Sequence, residues 1–307
     1  MRPRALLISS LLLVTALVAA GCAAIGGGRP DTSGLVASSI RAAAGQKDLR
    51  VQYAVRARIA AEPSAQASPE QRKMLAEPIT LEAKGGVAKD ALTIAGDLGL
   101  AGRRYYAEAL LGEHETFVNL LGAWYGDRTK GLADAATKAQ DKAPAKGDAK
   151  QVEKALRWVY DHSDEVLDAT VTKGPDIDGP TWQATGHCDA QGLAKLANAN
   201  GRPLNADERA GIATFCRATE LTYVAGADDR LPREVKVALH LDKATIAALA
   251  AAGDGGAKSR DLDRLDVELD VRLTGWGEAV TYEPPADTRP MSELGMAVLG
   301  LLFQAAA

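Results

Sequence analysis

The chain of 307 residues carries 36 Lys and Arg against 40 Asp and Glu, a formal net charge of −4 with its 4 histidines neutral. Its basic residues form no patch interleaved with aromatics, so the sequence lacks the electrostatic footprint of a nucleic-acid binder. Aromatic residues make up 5% of the chain, with only 3 Phe, and Ala, Val and Leu carry the apolar content. That composition suits either an ordinary globular core or a concave surface lined by small side chains.

The first predicted element is a leader. Met1-Arg2-Pro3-Arg4 precedes an apolar run from Ala5 to Ala20, and small residues lead on to Cys22. Two arginines, a short apolar stretch and small residues before a cut are the parts of a secretory signal peptide. The run is too short to span a bilayer, which takes about 18 or more apolar residues. Ser9, Ser10 and Thr15 also interrupt it. Val18-Ala19-Ala20-Gly21-Cys22 resembles a bacterial lipobox, with Ala19 where leucine is usual. That resemblance implies removal of residues 1–21 and diacylation of the Cys22 thiol. The mature chain would then be exported and fixed to the outer face of the bacterial cell membrane. Each buried methylene contributes about 0.8 kcal/mol, and two acyl chains hold stably where one binds reversibly. The alternative is a secreted protein with a stray cysteine. Loss of Arg2 and Arg4 leaves 34 basic residues against 40 acidic, a net charge near −6. The body as a whole is therefore not drawn to anionic headgroups, and the anchor does that work.

Residues 22–33 read as a flexible tether and 34–290 as one domain. A helix is expected around Gly34 to Ala44. From Leu49, the residues Leu49, Val51, Tyr53, Val55, Ala57 and Ile59 alternate with Arg50, Gln52, Ala54, Arg56, Arg58 and Ala60. That period of two is a strand with one dry and one wet face. Glu62–Pro78, with Pro63, Pro69 and Pro78, reads as a long loop. Weaker strands are expected at Ile79–Lys84, Leu92–Leu100, Arg104–Leu111 and Glu115–Leu121. Ala133–Lys150 is an inserted segment rich in Ala and Lys, and Val152, Ala155, Leu156 and Val159 then share one helix face.

Strands follow at Val166–Thr172 and Thr181–Cys188, and Asp189 caps a helix through Ala199. Asn205 with Glu208 resembles a capping box that opens a helix through Cys216. A strand at Ala218–Ala225 comes next. Val235, Val237, Leu239 and Leu241 alternate with Glu234, Lys236, Ala238 and His240. Leu265, Val267, Leu269, Val271 and Leu273 alternate with Asp266, Glu268, Asp270 and Arg272. Turn chemistry at Lys84-Gly85-Gly86, Gly112-Glu113, Gly174-Pro175-Asp176 and Gly226-Ala227-Asp228 separates several strands. Half-polar strands joined by short turns predict an antiparallel sheet. The apolar tail, residues 291–307, reads as a helix that packs on the sheet, plugs a cavity mouth or touches the membrane.

Chemistry-bearing motifs do not appear. His114, His162, His187 and His240 have no HxxxH or HExxH spacing, and His187 and Cys188 point to opposite faces of their strand. No GxSxG elbow occurs, and Gly256–Ser259 lacks the spacing of a phosphate loop. The acidic run Asp261, Asp263, Asp266, Glu268, Asp270 has no central glycine of a calcium loop. The expectation is a non-enzyme with no catalytic residue, metal ligand or cofactor. Cys188 and Cys216, exported together, are most simply a disulfide; a redox pair or half a metal site lacks CxxC spacing.

The segment Leu273–Asp287, LTGWGEAVTYEPPAD, ends a long amphipathic strand in a Gly-Trp-Gly turn, then reads as a short strand stopped by paired prolines. Together with the lipobox, the order of strands and helices, and the pairs Tyr105-Tyr106 and Trp124-Tyr125, this resembles actinobacterial envelope lipoproteins of the LppX/LprG type. The resemblance covers roughly Leu49 to Pro285. It implies a LolA-like α+β fold, a strongly curved antiparallel half-barrel with helices covering the concave side. It also implies a hydrophobic ligand, an acylated lipid or glycolipid, in an apolar cavity. The insertions at Glu62–Pro78 and Ala133–Lys150, the excursion from Cys188 to Cys216, and the tail depart from that pattern. On such a fold, alternation makes Val51, Tyr53, Val55, Val237, Leu239, Leu269 and Val271 the ligand-binding residues, with Arg56, Lys236, Glu268 and Asp270 in solvent. The alternative is an envelope sensor or scaffold that uses the same fold with a collapsed core and a protein partner.

Overall fold

Two long amphipathic strands, β1 (Arg50–Pro63) and β11 (Leu262–Thr274), pair antiparallel at the middle of the sheet. Their register sets Tyr53 against Leu273, Val55 against Val271 and Ala57 against Leu269 on one face. On the other face it sets Arg56 against Asp270 and Arg58 against Glu268. Like thus meets like on the dry side and opposite charges meet on the wet side, the two pairings that stabilise a ladder.

The computed structural model describes residues 34–46, 50–100, 102–129, 131, 167–199, 203–252 and 262–296. Cys22, the tether, the Val152–Val159 helix and the tail beyond Met296 lie outside these residues. From β1 the chain meanders outward through β2 (Ile79–Ala88), β3 (Leu92–Leu100), β4 (Arg103–Leu111), β5 (Thr116–Leu120) and β6 (Ala123–Asp127). A second meander runs inward through β7 (Leu167–Lys173), β8 (Thr181–Cys188), β9 (Thr219–Gly226) and β10 (Pro232–Asp242) to β11. The short β12 (Arg289–Pro290) adds to β6 in parallel, the sole parallel pairing among the described strands. The result is an open, curved sheet of 12 strands in the order β12-β6-β5-β4-β3-β2-β1-β11-β10-β9-β8-β7. With its helices it is the α+β half-barrel class expected from the sequence.

Register carries the dry face across both meanders. Ala184, Tyr223, Val235, Val271, Val55 and Ala83 form one row, and Leu221, Val237, Leu269, Ala57, Leu81 and Leu98 form the next. Helix α1 (Leu35–Ala44) lays Leu35, Val36 and Ile40 on Ala184, Tyr223, Ala225 and Val235. Its Ser39 hydroxyl is buried there, accepting from Tyr223 Oη at 2.8 Å. After β8 come α3 (Ala190–Ala199) and α4 (Ala206–Ala218), and α5 (Lys243–Ala252) follows β10. Phe215 of α4 and Ile246 and Leu249 of α5 pack on Leu239, Leu241 and Leu265. These helices sit over the second meander.

The expected capping box is present: Asn205 Oδ1 accepts from the Glu208 amide at 2.8 Å, and Glu208 Oε2 accepts from the Asn205 amide at 3.0 Å. Cys188 and Cys216 are disulfide-bonded, tying the end of β8 to α4.

Three expectations change. Gly85-Gly86 is not a turn but the interior of β2, because other groups lie over both glycines, as described below. The Glu62–Pro78 stretch is not all loop, since α2 (Pro69–Leu75) forms within it. Residues 278–288 after the Gly-Trp-Gly turn form no strand. They cross the wet face of the first meander as a strap.

The bridge closes a separation of 28 residues, worth about 3–4 kcal/mol by chain entropy. Thiol labelling of the denatured, unreduced protein should find no free Cys188 or Cys216. The Cys188→Ser, Cys216→Ser double variant should lose stability on that scale in urea unfolding.

Candidate functional site

All the residues assigned to ligand contact stand on the dry face, and packing divides them. Val51 and Val271 are buried in one cluster with Leu273, against which Tyr53, Val55, Leu269 and Trp276 are half-buried. Val237 instead borders the cluster under α1, and Leu239 is buried in the cluster under α4 and α5. Strand alternation thus brings Val51, Tyr53, Val55, Leu269 and Val271 together, while helix cover claims Val237 and Leu239. On the wet face Arg56, Lys236 and Glu268 are exposed as expected, and Asp270 is half-buried.

Tyr53 lies across Gly85, its partner on β2, and its hydroxyl donates to the Thr93 carbonyl of β3 at 2.7 Å. A Cβ on Gly85 would stand 2.8 Å from that hydroxyl, so the ring needs glycine beneath it. Burial pushes the phenol pKa up to about 12. The polar tip of Tyr53 is therefore spent on the sheet, and the ring serves as apolar surface.

Beyond the β1–β11 seam the dry face opens. Ile59, Leu81 and Leu98 are 37%, 36% and 40% exposed although each occupies an apolar position of its strand. Sequence reading placed Ile59 on the dry face but did not single out Leu81 or Leu98. Alternation reports which face a side chain takes, and only helix placement reports whether that face is covered.

Two hollows lie at the opposite end of these strands, and none of the residues assigned to ligand contact lines either. The first, about 570 Å³, sits between the β2–β3 and β4–β5 turns and the strap. There Tyr282 donates to Glu115 Oε1 at 2.9 Å, and Arg128 stands 3.9 Å from the other carboxylate oxygen. Burial, and then the Glu115 carboxylate, raise the Tyr282 pKa to about 12. Arg128 also donates to the Pro285 carbonyl at 3.0 Å and lies 5.2 Å over the Phe117 ring. These groups clamp the strap to the sheet. The second hollow, about 470 Å³, is lined by Asp178, Asp229, Arg233, Trp276 and Glu278 among others. Arg233 is buried and ion-paired with Asp229 at 2.6 Å, and Trp276 Nε1 donates to the Pro232 carbonyl at 2.9 Å. Trp276 is thereby pinned as a lid on the Val51–Leu273 cluster.

The strap rests on a wet-face row of small and apolar residues, Gly86, Thr93, Leu110, Phe117 and Gly126. A Cβ on Gly86 would meet Val280 Cγ1 at 2.7 Å, and one on Gly126 would meet Phe117 Cδ1 at 2.6 Å and Thr288 Cβ at 3.2 Å. Phe117 is fully buried beneath it.

Among the described residues, no group of three or more His, Cys, Asp or Glu side chains is placed to hold a metal ion, and no helix is long and apolar enough to cross a membrane. No family model and no curated protein matches the chain. Among solved structures it is similar to the crystal structure of LprF from Mycobacterium bovis, at 13% identity and a TM-score of 0.31. That match covers 85% of this chain and 100% of the other. A likeness at that score says nothing about ligand or partner.

Gly86→Val should dislodge the strap without unfolding the sheet. Limited proteolysis should then cut within 277–288, where the parent protein resists.

Proposed function

We propose that this chain is a non-enzymatic envelope lipoprotein, anchored to the outer face of the bacterial cell membrane through acylated Cys22, that carries an acylated lipid or glycolipid. The observation that carries the reading is the dry face of the first meander, where Ile59, Leu81 and Leu98 stay exposed beside half-buried Tyr53, Val55, Ala57 and Leu269. Exposed apolar patches of this kind mark ligand grooves or interaction sites. An acyl chain laid along the Leu269, Ala57, Leu81, Leu98 row gains about 0.8 kcal/mol for each methylene it buries. The VAAGC sequence at Val18–Cys22 supports the anchor.

A second reading has its own support. Val51, Leu239 and Val271 are only 6–7% exposed and packed by protein side chains, which favours a scaffold or sensor with a collapsed core over a deep cavity. Native mass spectrometry of protein purified from its own host separates the two. The carrier holds lipid; the scaffold holds none.

Two variants test the proposal. Cys22→Ala should leave the exported protein in the soluble fraction; retention in the membrane pellet would remove the anchor. Leu98→Asp should lose co-purifying lipid at an unchanged melting temperature, because its side chain faces solvent. Parent protein free of lipid would overturn the carrier reading.

A further inference from the structure

The two edges of the sheet end differently. At one edge the chain returns to lay β12 along β6, and Pro290 stops the ladder there. At the other edge stands β7, and among the described residues nothing pairs with its outer side. Its 7 residues hold no proline and pair with β8 without a bulge. Asp168 and Lys173, near its two ends, are its only charges. Without the proline or bulge that commonly blunts an edge, β7 is a template for another strand.

The β7–β8 ladder fixes which backbone groups are free. The Gly174 amide donates to the Thr181 carbonyl at 3.0 Å, so these two residues form a hydrogen-bonded pair. Along an antiparallel ladder such pairs alternate with pairs that exchange no bond. Asp168, Thr170 and Thr172 therefore turn their amides and carbonyls toward β8. Leu167, Ala169, Val171 and Lys173 turn theirs outward, each presenting one donor and one acceptor at the edge.

Side chains select the strand that fits. A second β7 run antiparallel about Thr170 sets Ala169 against Val171, Leu167 against Lys173, Asp168 against Thr172 and Thr170 against itself. Every outward amide and carbonyl then meets an outward partner. No like charges meet, since Asp168 faces a hydroxyl and Lys173 lays its stem on leucine. A Thr–Thr pair itself stabilises a ladder. A slip of one residue would set outward groups against inward ones and exchange the faces. On the dry side, Ala169 and Val171 continue the apolar surface that borders the cluster under α1.

We infer that β7 is the interface of a symmetric dimer, in which two copies of this chain join edge to edge into one continuous sheet. Such an interface is isologous, the same strand serving on both copies. Its twofold axis stands normal to the sheet, so both α1 helices lie on one side. Two chains anchored ahead of α1 can thus pair on one membrane without either turning over. Seven residues a side, against about 20–30 in a standard interface, make the contact weak and reversible. The pairing stands apart from the carrier reading, because no ligand takes part in it.

The test uses the mature chain with Cys22→Ala, in which Cys188 and Cys216 are bonded and an introduced thiol is the only free one. Thr170 meets its own copy as a non-hydrogen-bonded pair, with Cα atoms about 4.5 Å apart, within disulfide reach. Thr170→Cys should therefore oxidise to a covalent dimer. Asp168→Cys and Thr172→Cys should not do so alone, each lying about 13 Å along the strand from its own copy. Mixed together, those two variants should cross-link to each other. In sedimentation velocity the parent should pass from monomer toward dimer as its concentration rises. Ala169→Pro removes only an outward amide, which an edge strand tolerates, and Thr170→Lys sets like charges face to face. Each should weaken dimerisation about tenfold or more at an unchanged melting temperature. A parent that stays monomeric at every concentration, or Thr170→Cys that forms no covalent dimer, overturns the inference. So does a dimer that survives both substitutions, or equal cross-linking by Asp168→Cys or Thr172→Cys alone.

Discussion

The antiparallel pairing of β1 with β11 is the contact on which the rest depends. Each meander alone leaves one long strand with an unpaired edge, and a buried or exposed row of free amides and carbonyls is a liability. The seam removes both edges at once and fixes the register. A slip of one residue would send Val55 and Val271 to the wet side and bring Arg56 and Asp270 to the dry side. Residues far apart in the chain, such as Tyr53 and Leu273, thereby share one surface.

The two faces then solve different problems. On the dry face, apolar area over the second meander is covered by α1, α4 and α5, with the disulfide holding α4 to β8. On the wet face, charge is compensated locally. The Glu234 carboxylate, 3% exposed, receives Arg272 Nε at 2.7 Å and Lys236 Nζ at 2.8 Å. A carboxylate so deeply buried needs such partners, because an unpaired buried charge is costly. Hydrogen bonding and attraction from Glu234 in turn hold the Arg272 pKa above its ordinary value. Further out on the wet face the strap replaces charge with contact, and Val280, Tyr282 and Thr288 reach over positions where glycine permits close approach.

The helices do not cover the two meanders alike. Helices over one meander stabilise the sheet, and the first meander keeps an apolar face that no described helix closes. On the proposed carrier function, the side chains exposed on that face would meet a molecule with long methylene chains.

Much of this was legible in the sequence, and the reason is periodicity. Alternation in β1, β10 and β11 assigns every side chain to a face without knowledge of the partner strand, and Asn205 with Glu208 announces the start of α4 locally. The cysteine pair was legible from the expectation of export, under which two remaining thiols are most simply a disulfide. Other features depend on contacts between distant segments, which leave no local mark. Gly85-Gly86 reads as a turn until Tyr53 and Val280 are seen above it, and the Gly-Trp-Gly segment reads as a hairpin until its continuation is seen to cross to β6. α5 is rich in alanine with a weak apolar stripe, and its position is set by Leu239, Leu241 and Leu265 beneath it. Sequence alone determined which residues face the dry side. Tertiary structure decided which of them stay uncovered, because cover depends on where helices from elsewhere in the chain come to rest.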